Sequence, residues 1–280
     1  MANVTEDSTS RFVQTKDWNI HYNEAGAGHP VLLLHGSGAG ATGWSNFSQN
    51  IGPLADHFHV FSLDLPGWGQ SEAVTVERLR HAEAVIQFMD SLGLEKAALV
   101  GNSMGGVAAL TVSTRFPQRV SHLITMGPVA SRGPRLFSAG GLSEGLKILF
   151  RCYQEPTFEN MRLLCQVMMF DPGARLDDLA NERLAAALAH PEHLRNLLTG
   201  IPQGSPVPDW FELDDLLGLD IPALLIHGRD DRVVHYEHTL TLLSYLPNSR
   251  ALLLNRCGHW AMVEHPTEFN RAVTEFITNN

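Results

Sequence analysis

The sequence predicts an α/β protein whose mostly parallel central sheet is covered by helices on both faces. Short apolar runs without polar alternation, such as residues 31–35 and 97–100, are typical of strands buried on both sides. Between these runs, longer segments carry apolar residues at steps of three or four, which indicates amphipathic helices. Strands and helices that alternate along a chain favour a parallel sheet.

The predicted elements follow this alternation along most of the chain. Strands are predicted at 31–35, 58–63, 97–100, 120–126, 223–227 and 251–254, and helices at 76–92, 104–116, 236–246 and 266–278. Gly93 follows the first of these helices where a C-cap glycine is expected, and Pro117 ends the second. Pro266 opens the last helix, at a position where proline costs no hydrogen bond.

One long interval breaks the alternation. Residues 131–208 show helical patterns, for example at 144–153, 158–170 and 176–189, and no convincing strand, with prolines near both ends. We expect residues 131–208 to form a helical cap inserted into a core made of residues 1–130 and 209–280.

Charge and composition exclude several classes of partner. The chain has 20 Lys and Arg against 30 Asp and Glu, a formal net charge of −10, which disfavours nucleic acid and anionic membranes. No apolar run is long enough to span a bilayer, and the polar N-terminus does not resemble a signal peptide, so we expect a cytoplasmic protein. The same charge would repel an anionic small molecule unless local cations overcome it.

Cysteine usage predicts neither disulfides nor a metal centre. Cys152, Cys165 and Cys257 are odd in number, and no Cys–His cluster has the spacing of zinc ligands. We therefore expect no metal and no organic cofactor.

A nucleophile is predicted at Ser103. Residues 101–105, Gly-Asn-Ser-Met-Gly, match G-x-S-x-G and lie between a predicted strand and a predicted helix. In this motif the serine occupies a strained turn that exposes its hydroxyl, and the following helix N-terminus favours developing negative charge.

A base and an acid follow in the chain order of a Ser–Asp–His triad. His259 lies in the loop after the strand at 251–254, and the strand at 223–227 is followed by Asp230 and Asp231. We favour Asp231 as the carboxylate that orients His259, with Asp230 as the alternative. His265 is the rival base, although its place before Pro266 fits the start of a helix better.

A glycine-rich loop at 35–40 follows the first buried strand and predicts an oxyanion hole. Gly36 and Gly38 let the backbone approach a substrate, and the amides of Ser37 and Met104 are the expected donors. A nucleotide-binding loop is the weaker interpretation, because the glycine spacing is not that of a dinucleotide fingerprint and no P-loop Lys follows.

These motifs together resemble the α/β-hydrolase fold and superfamily. More narrowly they resemble the meta-cleavage-product hydrolases, which break a carbon–carbon bond in ring-opened aromatic catabolites. The segments that carry the resemblance are HGSGAGATGWSNF (35–47), DLPGWGQS (64–71), GNSMGG (101–106), PEHLRNL (191–197), HGRDDRVV (227–234) and CGHWAMVEHPTEFN (257–270).

The resemblance implies roles for further residues. Asn46 and Asn102 would contact the dienoate end of the substrate, and Arg183 would meet its carboxylate and oxo group. Trp260 and Trp210 would line the pocket. Met168, Phe137 and Val233 are candidates for the distal lining around the C6 group, and an apolar aryl or alkyl group would suit them.

The resemblance also implies an activity. The expected substrate is an anionic 2-hydroxy-6-oxohexa-2,4-dienoate, cleaved at C5–C6 to 2-hydroxypenta-2,4-dienoate and a carboxylic acid. A carboxylesterase on the same scaffold is the alternative, and a non-catalytic ligand receptor is a more distant one. Relatives form dimers and larger assemblies, so a homo-oligomer is expected.

Overall fold

A computed structural model describes residues 4–131, 136–138, 140–200 and 209–280. Its centre is an eight-stranded sheet with the order β1-β2-β4-β3-β5-β6-β7-β8. The strands are β1 (Ser10–Gln14), β2 (Asn19–Gly26), β3 (Pro30–Leu34), β4 (His59–Leu63), β5 (Ala97–Asn102), β6 (Val120–Met126), β7 (Ala223–Gly228) and β8 (Ser249–Leu254).

Eleven α-helices lie in the described part of the chain. They are α1 (Glu6–Thr9), α2 (Gly43–Ala55), α3 (His81–Ser91), α4 (Met104–Arg115), α5 (Glu144–Gln154), α6 (Phe158–Met168), α7 (Leu176–Ala189), α8 (Pro191–Gly200), α9 (Glu237–Tyr245), α10 (Ala261–Glu264) and α11 (Pro266–Asn279). Short 3-10 turns at Val76–Arg78, Pro117–Arg119, Gly173–Arg175 and Leu213–Leu216 connect some of them.

The sheet confirms the predicted α/β class. Strands β3 to β8 pair in parallel, whereas β1 and β2 form an antiparallel edge beside β4. Every residue of β5 and β7 is buried, as their uninterrupted apolar runs predict. Because β3, β5, β7 and β8 are parallel, the loops that follow them lie at one edge of the sheet.

Two N-terminal features are not visible in the apolar pattern. Strand β1 contains only partly buried and exposed residues, which gives a weak signal at the edge of the sheet. Helix α2 begins at an N-cap, Thr42, whose hydroxyl accepts from the backbone of Ser45 at 2.8 Å. This cap follows the glycine-rich loop directly, so loop and helix start are built together.

The predicted helix at 76–92 is interrupted in the structure. A 3-10 turn ends at Arg78, and the α-helix begins only at His81. The physical reason is a distant cap, since the carboxylate of Asp209 accepts from the backbone N–H of Ala82 at 2.9 Å. Gly93 has φ +66°, which confirms the predicted glycine at the helix end.

Helices α5 to α8 lie between β6 and β7, where the alternation of strand and helix stops. Helix α6 packs against both α5 and α7, and no strand occurs among the described residues of this interval. A Cβ on Gly40 would lie 2.0 Å from the backbone oxygen of Arg183, so α7 rests directly on the loop after β3. The helical segment therefore covers the edge of the sheet that carries the predicted motifs.

Two further expectations concern cysteines and membranes. Cys152, Cys165 and Cys257 are all buried thiols without disulfide bonds, and burial raises the pKa of Cys152 to about 12. Among the described helices, none combines the length and apolarity that a bilayer-crossing segment needs.

Candidate active site

Ser103 occupies the strained turn that its motif predicts. Its backbone has φ 51° and ψ −113°, a conformation that residues with a side chain rarely adopt. The turn is tight because a Cβ on Gly101 would lie 2.3 Å from the carbonyl oxygen of Gly105, and one on Gly105 would lie 2.1 Å from that of Leu34. The two motif glycines thus allow β5, α4 and β3 to approach closely enough to expose Ser103.

His259 and Asp231 are joined by a short hydrogen bond. The Nδ1–H of His259 donates to Oδ2 of Asp231 at 2.6 Å, and both side chains are buried. The other carboxylate oxygen accepts from the backbone N–H groups of Val233 at 2.7 Å and Val234 at 2.9 Å. This geometry fixes the tautomer of His259 with a lone pair on Nε2, as a general base requires.

The environment of Asp231 favours its ionised form. Burial alone would raise the pKa of this carboxyl, but His259 and His227 hold it well below its usual range. Nε2 of His227 lies 3.1 Å from Oδ2 of Asp231 and 2.8 Å from the carbonyl of Val234, so this nitrogen must carry the hydrogen. Its Nδ1 then accepts from the hydroxyl of Thr239 at 2.7 Å.

The alternative acid and base lie elsewhere. Asp230 is partly exposed and its nearest cationic partner is Arg229, at 3.6 Å. His265 donates from Nε2 to the backbone carbonyl of Arg256 at 3.0 Å and directly precedes α11. Neither side chain hydrogen-bonds to His259, so the geometry supports Asp231 and His259 as the pair.

The serine turn and the histidine loop are held together by Asn102. Its side-chain N–H₂ donates to the backbone carbonyls of Met126 and His259, each at 3.2 Å. In the described part of the chain, the Ser103 hydroxyl makes no direct hydrogen bond to His259, and such contacts often tighten only when substrate binds. Asn102 is thus engaged with backbone groups that set the position of both candidate catalytic residues.

The glycine-rich loop lies against the nucleophile. A Cβ on Gly36 would lie 2.6 Å from Oδ1 of Asn102 and 3.2 Å from Cβ of Ser103, so only glycine fits there. Tyr153 on α5 lies beside Ser37, and burial raises the pKa of Tyr153 to about 12 although the Ser37 side chain opposes that rise. Tyr153 therefore remains a neutral phenol that brings α5 next to the loop at 35–40.

A cavity of about 300 Å³ opens beside the nucleophile. Ser37, Ser103 and Met104 lie together in its wall, which brings the predicted nucleophile and both predicted oxyanion donors to one space. The rest of the wall is mostly apolar and comes from α5 and α8 as well as from segments around the sheet: Trp68, Leu79, His81, Val107, Val129, Leu146, Leu149, Phe150, Tyr153, Leu197, Asp209, Trp210 and Val234.

Arg183 brings a buried positive charge close to this loop. The residue is only 5% exposed, and its guanidinium carbon lies 4.4 Å from the centroid of the Trp260 ring. A Cβ on Gly38 would lie 3.4 Å from its Nη1. No described carboxylate lies within 4.0 Å of the guanidinium, so Arg183 forms no salt bridge with the described residues. Burial lowers the pKa of Arg183, yet a guanidinium remains charged at neutral pH.

Comparison with known proteins identifies the family. A sequence profile described as "Alpha/beta hydrolase family" matches residues 31–272. The chain is 40% identical to 2-hydroxy-6-oxo-6-phenylhexa-2,4-dienoate hydrolase of Burkholderia cepacia, over 100% of both chains. It is 39% identical, also over 100% of both, to a 2-hydroxy-6-oxononadienedioate/2-hydroxy-6-oxononatrienedioate hydrolase of Comamonas testosteroni. This chain belongs to the meta-cleavage product hydrolases of the alpha/beta hydrolase family.

A solved relative confirms the fold of this meta-cleavage product hydrolase. The 2-hydroxy-6-oxo-6-phenylhexa-2,4-dienoate hydrolase from Rhodococcus sp. strain RHA1 superposes with a TM-score of 0.84 at 27% identity. The match covers 96% of this chain and 100% of that one. The expectation of an α/β-hydrolase fold is therefore confirmed over nearly the whole length.

The remaining site residues predicted for this hydrolase are dispersed. Trp210 lines the cavity beside Ser103, whereas Arg183 and Trp260 line a separate cavity of about 490 Å³, which Gly40 at the end of the glycine-rich loop also lines. Asn46 is buried in the first turn of α2, where its N–H₂ donates to the carbonyl of Thr42 at 3.1 Å, and it is absent from the cavity wall. Phe137 is 68% exposed, and its backbone N–H donates to Glu237 at 2.9 Å, away from the cavity.

Two residues predicted for the distal lining contact neighbouring segments instead of the cavity. Val233 is buried against Gly145 of α5, whose Cβ would lie 2.6 Å from its Cγ2, and the neighbouring Val234 lines the cavity instead. Met168 is also absent from the wall. Its backbone carbonyl accepts from the N–H of His259 at 2.7 Å and from that of Trp260 at 3.3 Å, which ties the end of α6 to the histidine loop.

A carboxylate that the sequence analysis missed completes this connection. Glu264 accepts from the backbone N–H of Gly258 at 2.6 Å through Oε2, and from those of Phe170 at 2.7 Å and Asp171 at 3.2 Å through Oε1. Burial raises the pKa of Glu264, an effect that these three hydrogen bonds oppose. One side chain thus connects the loop of His259 to the segment after α6.

The missed contributors share one property. Each of them contacts a site residue or its chain neighbour without being part of a recognised catalytic motif: Tyr153, His227 and Glu264. His227 is the one of the three that the sequence could have indicated, because it lies in the segment 227–234, four residues before Asp231.

Proposed function

We propose that this chain is a serine-dependent hydrolase that cleaves the C5–C6 bond of 2-hydroxy-6-oxohexa-2,4-dienoates. The products are 2-hydroxypenta-2,4-dienoate and a carboxylic acid. The single observation that carries the proposal is the buried Arg183, which forms no salt bridge with the described residues and lies between Trp260 and the loop at Gly38. A neutral ester would need no such charge, whereas a dienoate carries a carboxylate that would pair with it.

The geometry of Asp231 and His259 supports the following roles for the triad. His259, oriented by Asp231, mediates the transfer of the dienol proton to C5, which gives a 2,6-dioxo intermediate. Ser103 Oγ then attacks the C6 carbonyl while His259 accepts the hydroxyl proton. The amides of Ser37 and Met104 would stabilise the resulting oxyanion, since both residues line the cavity beside Ser103.

Carbon–carbon cleavage needs a place for the bonding electrons. When C5–C6 breaks, the electron pair forms the C4=C5 double bond and moves through C3 to the oxygen on C2. Arg183 would stabilise that developing negative charge, and His259 would return a proton to the oxygen. Water then attacks the acyl group on Ser103 and releases the carboxylic acid.

The cavity supports an apolar group on C6. Its wall is mostly apolar, with Trp68, Trp210, Val129 and Phe150 among its members. Helices α5 and α8 supply part of this wall, which supports the proposed division into a core of 1–130 and 209–280 and a cap of 131–208. We infer that aryl and alkyl dienoates are better substrates than those with a charged tail.

The proposal is tested by comparing substrates on the same enzyme. The kcat/KM values for methyl-, isopropyl- and phenyl-substituted dienoates are measured from loss of the yellow chromophore, alongside a neutral aryl acetate. We expect the best dienoate to exceed the ester by at least about a hundredfold. Hydrolysis of the ester without turnover of any dienoate would support the carboxylesterase alternative, and absence of both would support a ligand receptor.

Homo-oligomerisation remains a prediction from the family resemblance, and cytoplasmic location remains a prediction from the polar N-terminus and the short apolar runs. Light scattering after size-exclusion chromatography would give the oligomeric state directly.

A further inference from the structure

A group of three potential metal ligands lies at the corner between α7 and α8. His190 follows the last residue of α7, and Glu192 and His193 lie in the first turn of α8. One ligand atom from each of the three lies within 4.8 Å of the other two. The wall of the Ser103 cavity includes none of these residues, so the group lies outside the proposed catalytic site.

His193 is arranged as metal-binding histidines usually are. It is only 9% exposed, and its Nε2–H donates to the backbone carbonyl of Gly69 at 3.0 Å. That bond leaves the lone pair of the neutral ring on Nδ1. Nδ1 is buried and has no hydrogen-bond partner in the described structure. A ligating histidine typically donates its other ring N–H to a carbonyl or carboxylate in this way.

The two companions are accessible to an ion from solvent. The side chains of His190 and Glu192 are 39% and 36% exposed, and Nδ1 of His190 lies 3.5 Å from Oε1 of Glu192. A small cavity of about 20 Å³ is lined by His190 and His193, which is space for roughly one water-sized atom. Both histidines of the group therefore border space that an ion could occupy.

We propose that His190, Glu192 and His193 bind a divalent transition-metal ion of the zinc type. Two imidazoles and one carboxylate suit Zn²⁺, Co²⁺, Ni²⁺ or Cu²⁺, whereas Mg²⁺ and Ca²⁺ prefer oxygen ligands throughout. Three protein ligands leave a position for water. Residues 190–193, His-Pro-Glu-His, contain no cysteine, so a search for Cys–His zinc spacings does not detect them.

The site connects the cap to the core. His193 belongs to α8, and Gly69 belongs to the loop that follows β4, so an ion on Nδ1 would reinforce the hydrogen bond between them. Because an ion that binds only the folded chain stabilises that chain, Zn²⁺ should raise the melting temperature.

The test uses untagged full-length protein with Zn²⁺ alone as the probe. Calorimetric titration is carried out on the wild type, on His190→Gln and Glu192→Gln, and on His57→Gln as a control at an exposed histidine outside the group. His193 is left unchanged, because its bond to Gly69 is part of the fold. We expect one ion per chain, a Kd at least about tenfold higher in both ligand variants, and an unchanged Kd in the control.

A second readout separates this site from surface binding. Zn²⁺ should raise the melting temperature of the wild type and of His57→Gln but not of the two ligand variants. Equal affinity in all four proteins, or no saturable binding to the wild type, would overturn the proposal. Neither result depends on dienoate turnover, so failure here is distinct from failure of the proposed function.

Discussion

The guanidinium of Arg183 stacks on the ring of Trp260, with 4.4 Å between the guanidinium carbon and the ring centroid. Trp260 directly follows His259 in the chain, and Arg183 and Trp260 line a cavity of about 490 Å³ together with Gly40 and Thr42. Burying a charge without a counter-ion is costly, and the aromatic face offsets only part of that cost. An anionic substrate would complete the charge balance, even though the chain as a whole carries −10.

The first prediction concerns this charge. Arg183→Gln should lower kcat/KM for a dienoate by about a hundredfold, equivalent to about 2.7 kcal/mol, because a charge-assisted contact to the substrate is lost. Turnover of a neutral aryl acetate should change by less than about threefold. Arg162→Gln is the control, since Arg162 is an exposed arginine on α6 that is paired with Asp177 at 2.7 Å. Equal losses on both substrates would mean that Arg183 acts through the fold.

The second prediction separates two adjacent carboxylates. Asp231→Asn should lower kcat by about 10³ to 10⁴, because the amide cannot hold His259 in the required tautomer. Asp230→Asn, at a partly exposed carboxylate paired with Arg229, should leave kcat within about twofold. Steady-state kinetics on one dienoate decides the assignment, and a larger loss in the Asp230 variant would reverse it.

The third prediction is a pH dependence of stability. The pKa of Asp231 is depressed in the folded chain by His259 and His227, against the raising effect of burial. Its contribution to stability is therefore present above the unfolded value of about 4 and is lost as the pH falls further. Chemical denaturation of the wild type between pH 6 and pH 2 should show a steeper fall in the free energy of unfolding than Asp231→Asn. Parallel curves for the two proteins would refute the shift.

The fourth prediction concerns Glu264, a positioning residue for His259. Glu264→Gln replaces one accepting oxygen with a donor, so the N–H of Gly258 or that of Phe170 loses its partner. We expect kcat for a dienoate to fall about tenfold with little change in KM, because the histidine loop shifts while Arg183 stays in place. Glu275→Gln, an exposed carboxylate on α11, serves as the control.

Kinetics at a temperature where the variant is folded distinguish a positioning role of Glu264 from a contribution to stability alone. Kinetics are measured well below the melting temperature of Glu264→Gln, where all of the protein is folded. If kcat there equals that of the wild type, Glu264 contributes to stability alone.

The sequence predicted the features that depend on local residues. Ser103 has a positive φ because G-x-S-x-G forces a turn between β5 and α4, and that constraint lies within five residues. The parallel order of β3, β5, β7 and β8 then brings their following loops to one edge. Family resemblance indicated Arg183, whose helical position alone would have suggested a solvated side chain.

The features that the sequence did not predict depend on contacts between distant segments. Asp209 caps α3 across 127 positions of the chain, and Glu264 reaches the end of α6 across 94. Phe137 is predicted for the distal pocket because it is apolar, but its side chain is exposed. An apolar residue type alone does not specify which surface a loop residue faces. Pairing of this kind is fixed by the packed fold rather than by periodicity.

The most direct test of the central claim is a product analysis of the phenyl-substituted dienoate with wild type and Ser103→Ala. Decay of the chromophore and the yield of benzoate are measured in the same reaction. The wild type should give benzoate and 2-hydroxypenta-2,4-dienoate in equal amounts, and Ser103→Ala should be slower by at least about 10³. Substrate consumption without benzoate, or cleavage that persists in Ser103→Ala at the wild-type rate, would contradict serine-dependent carbon–carbon hydrolysis.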